Sequence, residues 1–241
     1  MQLSKRLGAV AGEVMADSCV ADIGCDHAYV AIYLAQNSIV KHMIAMDVRK
    51  GPLEKAKTNI DEYGLSDQIE VRLSDGAKEL KAGEVDTIVI AGMGGALITK
   101  ILEESIQVLD QVTSLVLQPQ TEVPAVRRFL HKNHFMIEKE IMLIEDEKYY
   151  TVLSAKPGEQ NRFNLVEYEF GKYLLEKKDA VLWEFLKNQI DKYEDILDKL
   201  MKNSKNIIRQ EEIKETCRLL RLGLLYYEED SKGEDNCDRN H

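Results

Sequence analysis

Short apolar runs alternate with amphipathic stretches through the first 156 residues. Runs at 18–23, 43–47, 69–73, 85–91 and 113–118 have strand length, and polar or glycine-bearing turns follow them. Between them, apolar spacings of three and four predict helices near 28–36, 52–62, 94–107 and 122–132, with a leading amphipathic helix over roughly 3–16. Strands alternating with helices imply a parallel sheet covered on both faces. The rhythm changes at "FMIEKEIMLIEDEKYYTVLSAK", residues 135–156. Two strands there are joined by the charged turn Glu145-Asp146-Glu147, which leaves no room for a crossover helix. An antiparallel hairpin therefore closes one edge of a five-stranded parallel sheet.

Strand signals vanish after Pro157-Gly158. Leu182, Leu186, Gln189, Tyr193, Ile196 and Leu200 recur at alternating spacings of four and three, a heptad seam widened by Phe185, Ile190, Leu197 and Met201. Asn203-Ser204-Lys205-Asn206 can end that helix, and Ile207 to Leu225 can return along it as the second arm of an antiparallel hairpin. The pattern divides the chain into an α/β domain at 1–158, a helical coiled-coil hairpin at 159–227 and an acidic, disordered tail at 228–241.

Charge adds a constraint. The 241 residues carry 32 Lys+Arg against 42 Asp+Glu, a formal charge of -10, which is unlike a protein coated uniformly for polyanions. The excess is uneven, however: residues 160–225 hold 13 basic and 12 acidic side chains. A hydrophobic content of 44% suffices for one substantial core plus an appendage. No segment approaches eighteen consecutive apolar residues and the N-terminus has no apolar signal stretch, so a soluble, cytoplasmic protein is expected; a monomer is expected as well. Cys19, Cys25, Cys217 and Cys237 form no CxxC pair and read as thiols in a reducing compartment, and no metal site is expected.

The chemistry concentrates where strands end. "VADIGCDHAY", residues 20–29, starts like a nucleotide-binding fold, with Asp22 and Gly24 at the carboxyl edge of the first strand. Where dinucleotide folds continue with glycines, this loop has Asp26, His27 and Ala28. Asp47 ends the second strand in "MIAMDVRKGPLEKA", placed either to accept from ribose hydroxyls or to cap the helix beginning near Gly51-Pro52. Asp75-Gly76 in "LSDGAKEL" follows the third strand, either to accept from an adenine amino group or to form an Asp-Gly turn. Together the three acids, each at its strand end, are more specific than any one of them. Asp26 would repel a pyrophosphate, yet it can pair with the ammonium of S-adenosylmethionine, a cofactor with a sulfonium and no phosphate. Methyltransferases that use this cofactor also add an antiparallel hairpin after five parallel strands, an inference by fold analogy.

"IAGMGGALITKIL" supplies Gly92, Gly94 and Gly95 after the fourth strand, which clear side chains from the cleft or serve a turn of positive φ. "LVLQPQTEVPAVRRFLHKNH" places Gln118 and Gln120 beside the same cleft. Arg127, Arg128 and Lys132, with the nearby histidines, would make a basic helix face suited to phosphates, or simply a solvated surface.

DIGCDHAY, Asp47, SDGAKEL, AGMGG and LQPQTEVPAVRRFL, in that order and with a helical hairpin behind, resemble the bacterial tRNA (adenine(22)-N(1))-methyltransferase family (TrmK type) over the chain to about residue 225. The resemblance implies a Rossmann-like, class I S-adenosylmethionine-dependent methyltransferase sheet, a C-terminal coiled-coil hairpin that helps hold tRNA, and S-adenosyl-L-homocysteine as a product. It implies a cofactor site formed by Asp22, Gly24, Cys25, Asp26, His27, Asp47, Val48, Asp75, Gly76, Ala91, Gly92, Met93 and Gly94. His27, Tyr29 and Gln118 are the candidate catalytic residues, with Met93 also near the substrate. The adenine N1 lone pair carries no proton before attack, so alignment and desolvation outweigh any general base. The rival readings are a methyltransferase acting on protein or a small molecule, a non-catalytic RNA-binding module, and a nucleotide dehydrogenase. Asp26 and Ala28 disfavour the last of these, and the intact acid trio disfavours loss of cofactor binding.

Overall fold

The computed structural model describes residues 1–203 and 206–228. Seven strands form one sheet: β1 (Cys19–Ile23), β2 (His42–Asp47), β3 (Ile69–Leu73), β4 (Thr87–Gly94), β5 (Ser114–Thr121), β6 (Phe135–Glu145) and β7 (Lys148–Pro157). Their order is β3-β2-β1-β4-β5-β7-β6. The first five run parallel, while β7 lies antiparallel to both β5 and β6. The expected hairpin is therefore present, with its second strand inserted beside β5 and its first forming the edge.

Helix α1 (Lys5–Ala11) precedes the sheet, and α2 (Tyr29–Gln36), α3 (Lys50–Glu62), α4 (Gly95–Glu103), α5 (Ile106–Leu109) and α6 (Val123–Lys132) make the connections. Covered strands need apolar residues on both faces; Val20, Ala21, Ile88, Val89, Leu115 and Val116 in the central strands are all buried. At the hairpin tip Asp146 and Glu147 both adopt left-handed backbone, the geometry that matches the twist of a two-residue β-turn.

Two expected helices are shorter than their apolar spacing suggests. After Ala11 the Glu13 and Val14 amides donate to Val10 and Ala11 three residues back, so Val14 stays buried although the α-helix has ended. The stretch expected as one helix at 94–107 breaks at Ser105, whose φ of -121° and ψ of 20° separate α4 from α5.

One expectation fails outright. Arg127 is 1% exposed at its side chain, and its Nε donates to Glu140 Oε1 at 2.7 Å. It ties α6 to β6 inside the core and cannot reach a phosphate. Arg128 and Lys132 of the same helix are exposed. The neighbouring His131 contacts Gln160 at 2.8 Å, and His134 lies 2.5 Å from Glu159.

The chain divides into two compact units, Met1–Arg162 and the residues from Phe163 on. In the second, two short helices that the sequence pattern did not reveal, α7 (Leu165–Phe170) and α8 (Lys172–Glu176), precede α9 (Ala180–Asn203) and α10 (Ile207–Glu228). Asn164 and Glu167 form a reciprocal cap on α7. The long pair is antiparallel: Tyr227 Oη donates to Asp179 O at 2.8 Å at one end, and Gln210 Nε2 donates to Leu200 O at 3.5 Å at the other. Leu182 and Leu186 of the heptad seam are buried, while Met201 is exposed. The expected helix break at 204–205 and the tail from 229 on fall outside the described residues. No helix among the described residues is long and apolar enough to cross a membrane.

Candidate active site

The carboxyl edge of the parallel strands holds a cavity of about 390 Å³ lined by residues from six segments. β1 delivers Asp22 and then turns through Gly24, Cys25, Asp26 and His27. Three residues of this loop have positive φ: Gly24 (77°), Asp26 (50°) and Ala28 (59°). The Gly24 and Cys25 amides both donate to Met46 O at the end of β2, at 2.8 and 2.9 Å, which clasps the loop to the neighbouring strand. Gly24 is required because a side chain at its φ of 77° is strained, and an added Cβ would also displace the Met93 methyl. Helix α2 then starts at left-handed Ala28 with no side-chain cap.

Asp22 is buried, lines the cavity, and has no hydrogen bond or ion pair through its carboxylate among the described residues. Burial first, and the Asp47 carboxylate second, push its pKa up to about 7. Asp47 Oδ1 accepts from the Arg49 amide at 2.9 Å, which fixes the carboxylate at the strand end. Burial and the three acids Asp22, Asp47 and Asp26 push the Cys25 thiol far up, so it stays neutral. The field in the cavity therefore favours a cation.

The opposite wall comes from β4 and α1. Gly92, at φ +79°, sits where the β4–β5 pairing shifts register, and this carries Ala91, Gly92 and Met93 into the cavity. Gln118 is fully buried behind that wall: its Oε1 accepts from the Gly92 amide at 3.0 Å and from Arg6 Nη1 at 2.9 Å. Arg6 itself lines the cavity, lies 3.9 Å from Glu145 and is stacked 5.5 Å from the centre of the Tyr150 ring. At the mouth His27 and Tyr29 stack, ring centres 5.4 Å apart and planes inclined by 25°, and His27 Nε2 is 3.6 Å from Asp26 Oδ2.

The structure thus gathers Asp22, Gly24, Cys25, Asp26, His27, Tyr29, Asp47, Ala91, Gly92 and Met93 around one space. Others stand outside it. Val48 is 59% exposed. The Asp75 carboxylate is exposed and paired with Lys78, which holds its pKa below the ordinary carboxylate value, and Gly76 turns against Ile101. Gly94 caps α4, and Gln118 positions the wall without facing the cavity. Sequence reasoning missed Arg6 and Arg49. Arg6 sits on a helix whose pattern is merely amphipathic, and no local motif signals that it crosses to β5.

The donor set suits S-adenosylmethionine. A buried carboxylate without a protein partner needs a cationic or hydrogen-bonding ligand group. Asp47 stands ready for hydroxyls, and Leu7, Val30, Ala91 and Met93 provide apolar surface. A pyrophosphate would face Asp22, Asp26 and Asp47, which outnumber the Arg6 and Arg49 cations of the same lining. The strand order, the antiparallel β7 and this acid-lined edge define a Rossmann-like, class I methyltransferase with a helical hairpin appended.

Comparison with known proteins narrows the class. A family profile described as tRNA (adenine(22)-N(1))-methyltransferase, TrmK, matches residues 20–221. The chain belongs to this family. The tRNA (adenine(22)-N(1))-methyltransferase of Bacillus subtilis (strain 168) is 33% identical over 227 residues, covering 92% of this chain and 95% of its own. The crystal structure of Streptococcus pneumoniae Sp1610 in complex with S-adenosyl-L-methionine superposes with a TM-score of 0.84 at 31% identity, over 92% of this chain and all (100%) of the other. The M. capricolum TrmK structure in complex with S-adenosyl-homocysteine gives a TM-score of 0.84 at 28% identity, over 94% and 99% of the two chains.

Proposed function

We propose that this chain transfers a methyl group from S-adenosylmethionine to N1 of adenosine 22 in tRNA. The observation that carries the proposal is the convergence of Asp22, Asp26 and Asp47 on one cavity in a member of this family. When bound, the cofactor supplies an electrophilic methyl group on a sulfonium sulfur. Asp22 would hold its ammonium, Asp47 its ribose hydroxyls, and the backbone of Gly24 and Gly92 would line the space that it fills.

The acceptor needs positioning more than deprotonation, since its lone pair is already free. N1 lies on the Watson–Crick edge, so the base must leave its stack or pair before it can react. Tyr29, 44% exposed at the mouth and stacked on His27, offers the ring on which a flipped adenine can rest. Methylated N1 makes the ring cationic, and the Asp26 carboxylate, which lines the cavity, would stabilise that charge. Gln118 and Arg6 act one step back, by holding the Gly92 wall in register. We assign the helical unit a supporting role, with Lys187, Lys192 and Lys199, all exposed on α9, available to phosphates.

The test is incubation with labelled S-adenosylmethionine and unmodified bacterial tRNA, followed by digestion and mapping of the label. Label on N1 of adenosine 22 is expected. Cofactor binding with no label in tRNA would overturn the assignment and move the search to other acceptors.

A further inference from the structure

A second recess, of about 380 Å³, lies against the outer side of the His27–Tyr29 pair. Both residues line this recess and the active-site cavity, so the stacked rings form a shared wall. Its floor is α3, where Gly51, Lys55 and Thr58 recur at spacings of four and three along one face. The Asn59 side chain donates to His27 O at 3.0 Å and fixes the helix to the loop that carries the wall.

Several lysines of this unit are already committed to carboxylates. Lys78, Lys100, Lys139 and Lys156 each pair with a carboxylate. Lys50, Lys55 and Lys57 are exposed and form no ion pair among the described residues. Glu54, which also lines the recess, is the one acid within the first eleven residues of the helix. Of the three, Lys55 lines the recess that shares its wall with the active site, and Lys50 and Lys57 lie on another side of the same two helical turns.

We propose that this face of α3 binds the sugar–phosphate backbone next to the target nucleotide. Lys55 then contacts a phosphate, and the neighbouring residue of the RNA occupies the recess on the far side of Tyr29 from the reacting base. The proposal rests on the tRNA reading above. The unpaired Lys55 ammonium suits a single phosphate, and the wall shared with the active site selects the strand that already enters it. The sequence pattern had pointed instead to α6, whose Arg127 is buried.

The experiment uses the full chain, unmodified tRNA and three variants: Lys55→Glu, Thr58→Trp to fill the recess, and Lys41→Glu. Lys41 makes the same charge change where β2 begins, at the opposite edge of the sheet from the cavity. Lys55→Glu and Thr58→Trp should raise the tRNA Kd and KM about tenfold, and Lys55→Glu should lower the slope of log Kd against log salt by about one. S-adenosylmethionine affinity should stay at the wild-type value, and Lys41→Glu should match wild type throughout. Unchanged tRNA binding in Lys55→Glu and Thr58→Trp, or an equal loss in Lys41→Glu, overturns the proposal. If wild type binds tRNA without methylating it while Lys55→Glu still lowers the salt slope, the reaction assignment fails and this surface stands.

Discussion

Asp22→Asn gives the sharpest test of the site's electrostatics. Asp22 is buried beside Asp47, and its pKa rises from 3.8 to about 7 in the folded chain. Between about pH 4 and pH 7 the native state therefore keeps a proton that the unfolded chain has lost, so stability of the cofactor-free protein falls as pH rises through this window. At about 1.4 kcal/mol per pH unit, the full penalty is about 4 kcal/mol, reached above pH 7 and absent below about pH 4. Asparagine keeps the shape and carries no charge. Asp22→Asn should then gain stability over wild type as pH is raised from about 5 to 8, by about 3 kcal/mol, in urea denaturation followed by fluorescence. Affinity should move the other way. A cationic ligand must displace the proton, so wild-type binding of S-adenosylmethionine should strengthen with pH up to about 7 and level off above it. Asp22→Asn should flatten that profile and weaken binding about 10- to 100-fold, the effect of losing a charge-assisted hydrogen bond of about 1.5–3 kcal/mol. A stability difference between the two proteins that does not vary with pH would refute this account of Asp22.

Arg127→Met should cost about 3–5 kcal/mol in urea denaturation, because Glu140 is left buried and charged, and adding Glu140→Leu should recover most of it; lost tRNA affinity at unchanged stability would return Arg127 to the binding surface. Arg6→Met removes one of the two donors on Gln118 Oε1 and loosens the Gly92 wall. It should lower kcat about tenfold through misplacement while costing only about 1 kcal/mol of stability; normal kcat in a less stable protein would show that Arg6 is only a strut.

The architecture was legible because its signals are local. Strand-length apolar runs, the turn at Asp146-Glu147 and the heptad of Leu182 and Leu186 each follow from a few adjacent residues. So did the acid loop, since Asp22, Gly24 and Asp26 lie on one strand and the turn after it. What sequence could not give was which side chain faces where. Asp75 and Asp47 look alike as strand-end acids, yet Lys78 draws the first into solvent while the Arg49 amide holds the second against the cavity. Arg127 and Arg128 are adjacent and identical in type, and only the position of Glu140 on a later strand decides which is buried. Arg6 was invisible for the same reason: its partners Gln118 and Glu145 are more than a hundred residues away.

The acid loop makes conflicting demands on a chain that must also handle RNA. Asp22, Asp26 and Asp47 attract a sulfonium and an ammonium, and the same field repels a phosphate backbone. Making the cavity basic would weaken cofactor binding, so the opposing charges must stand close enough to guide RNA and far enough to leave the cavity field intact. Ionic screening sets that distance, since exposed charges interact weakly beyond about 8 Å at physiological salt. Lys55 meets the condition by lining the recess on the outer side of the His27–Tyr29 wall. Arg6 is the exception, since it lines the cavity itself, with Glu145 3.9 Å away to offset its charge. A flipped adenine carries no phosphate on its base, so it alone needs to pass Tyr29 into the acidic space, where the positive charge it gains on methylation suits the field that excludes its backbone.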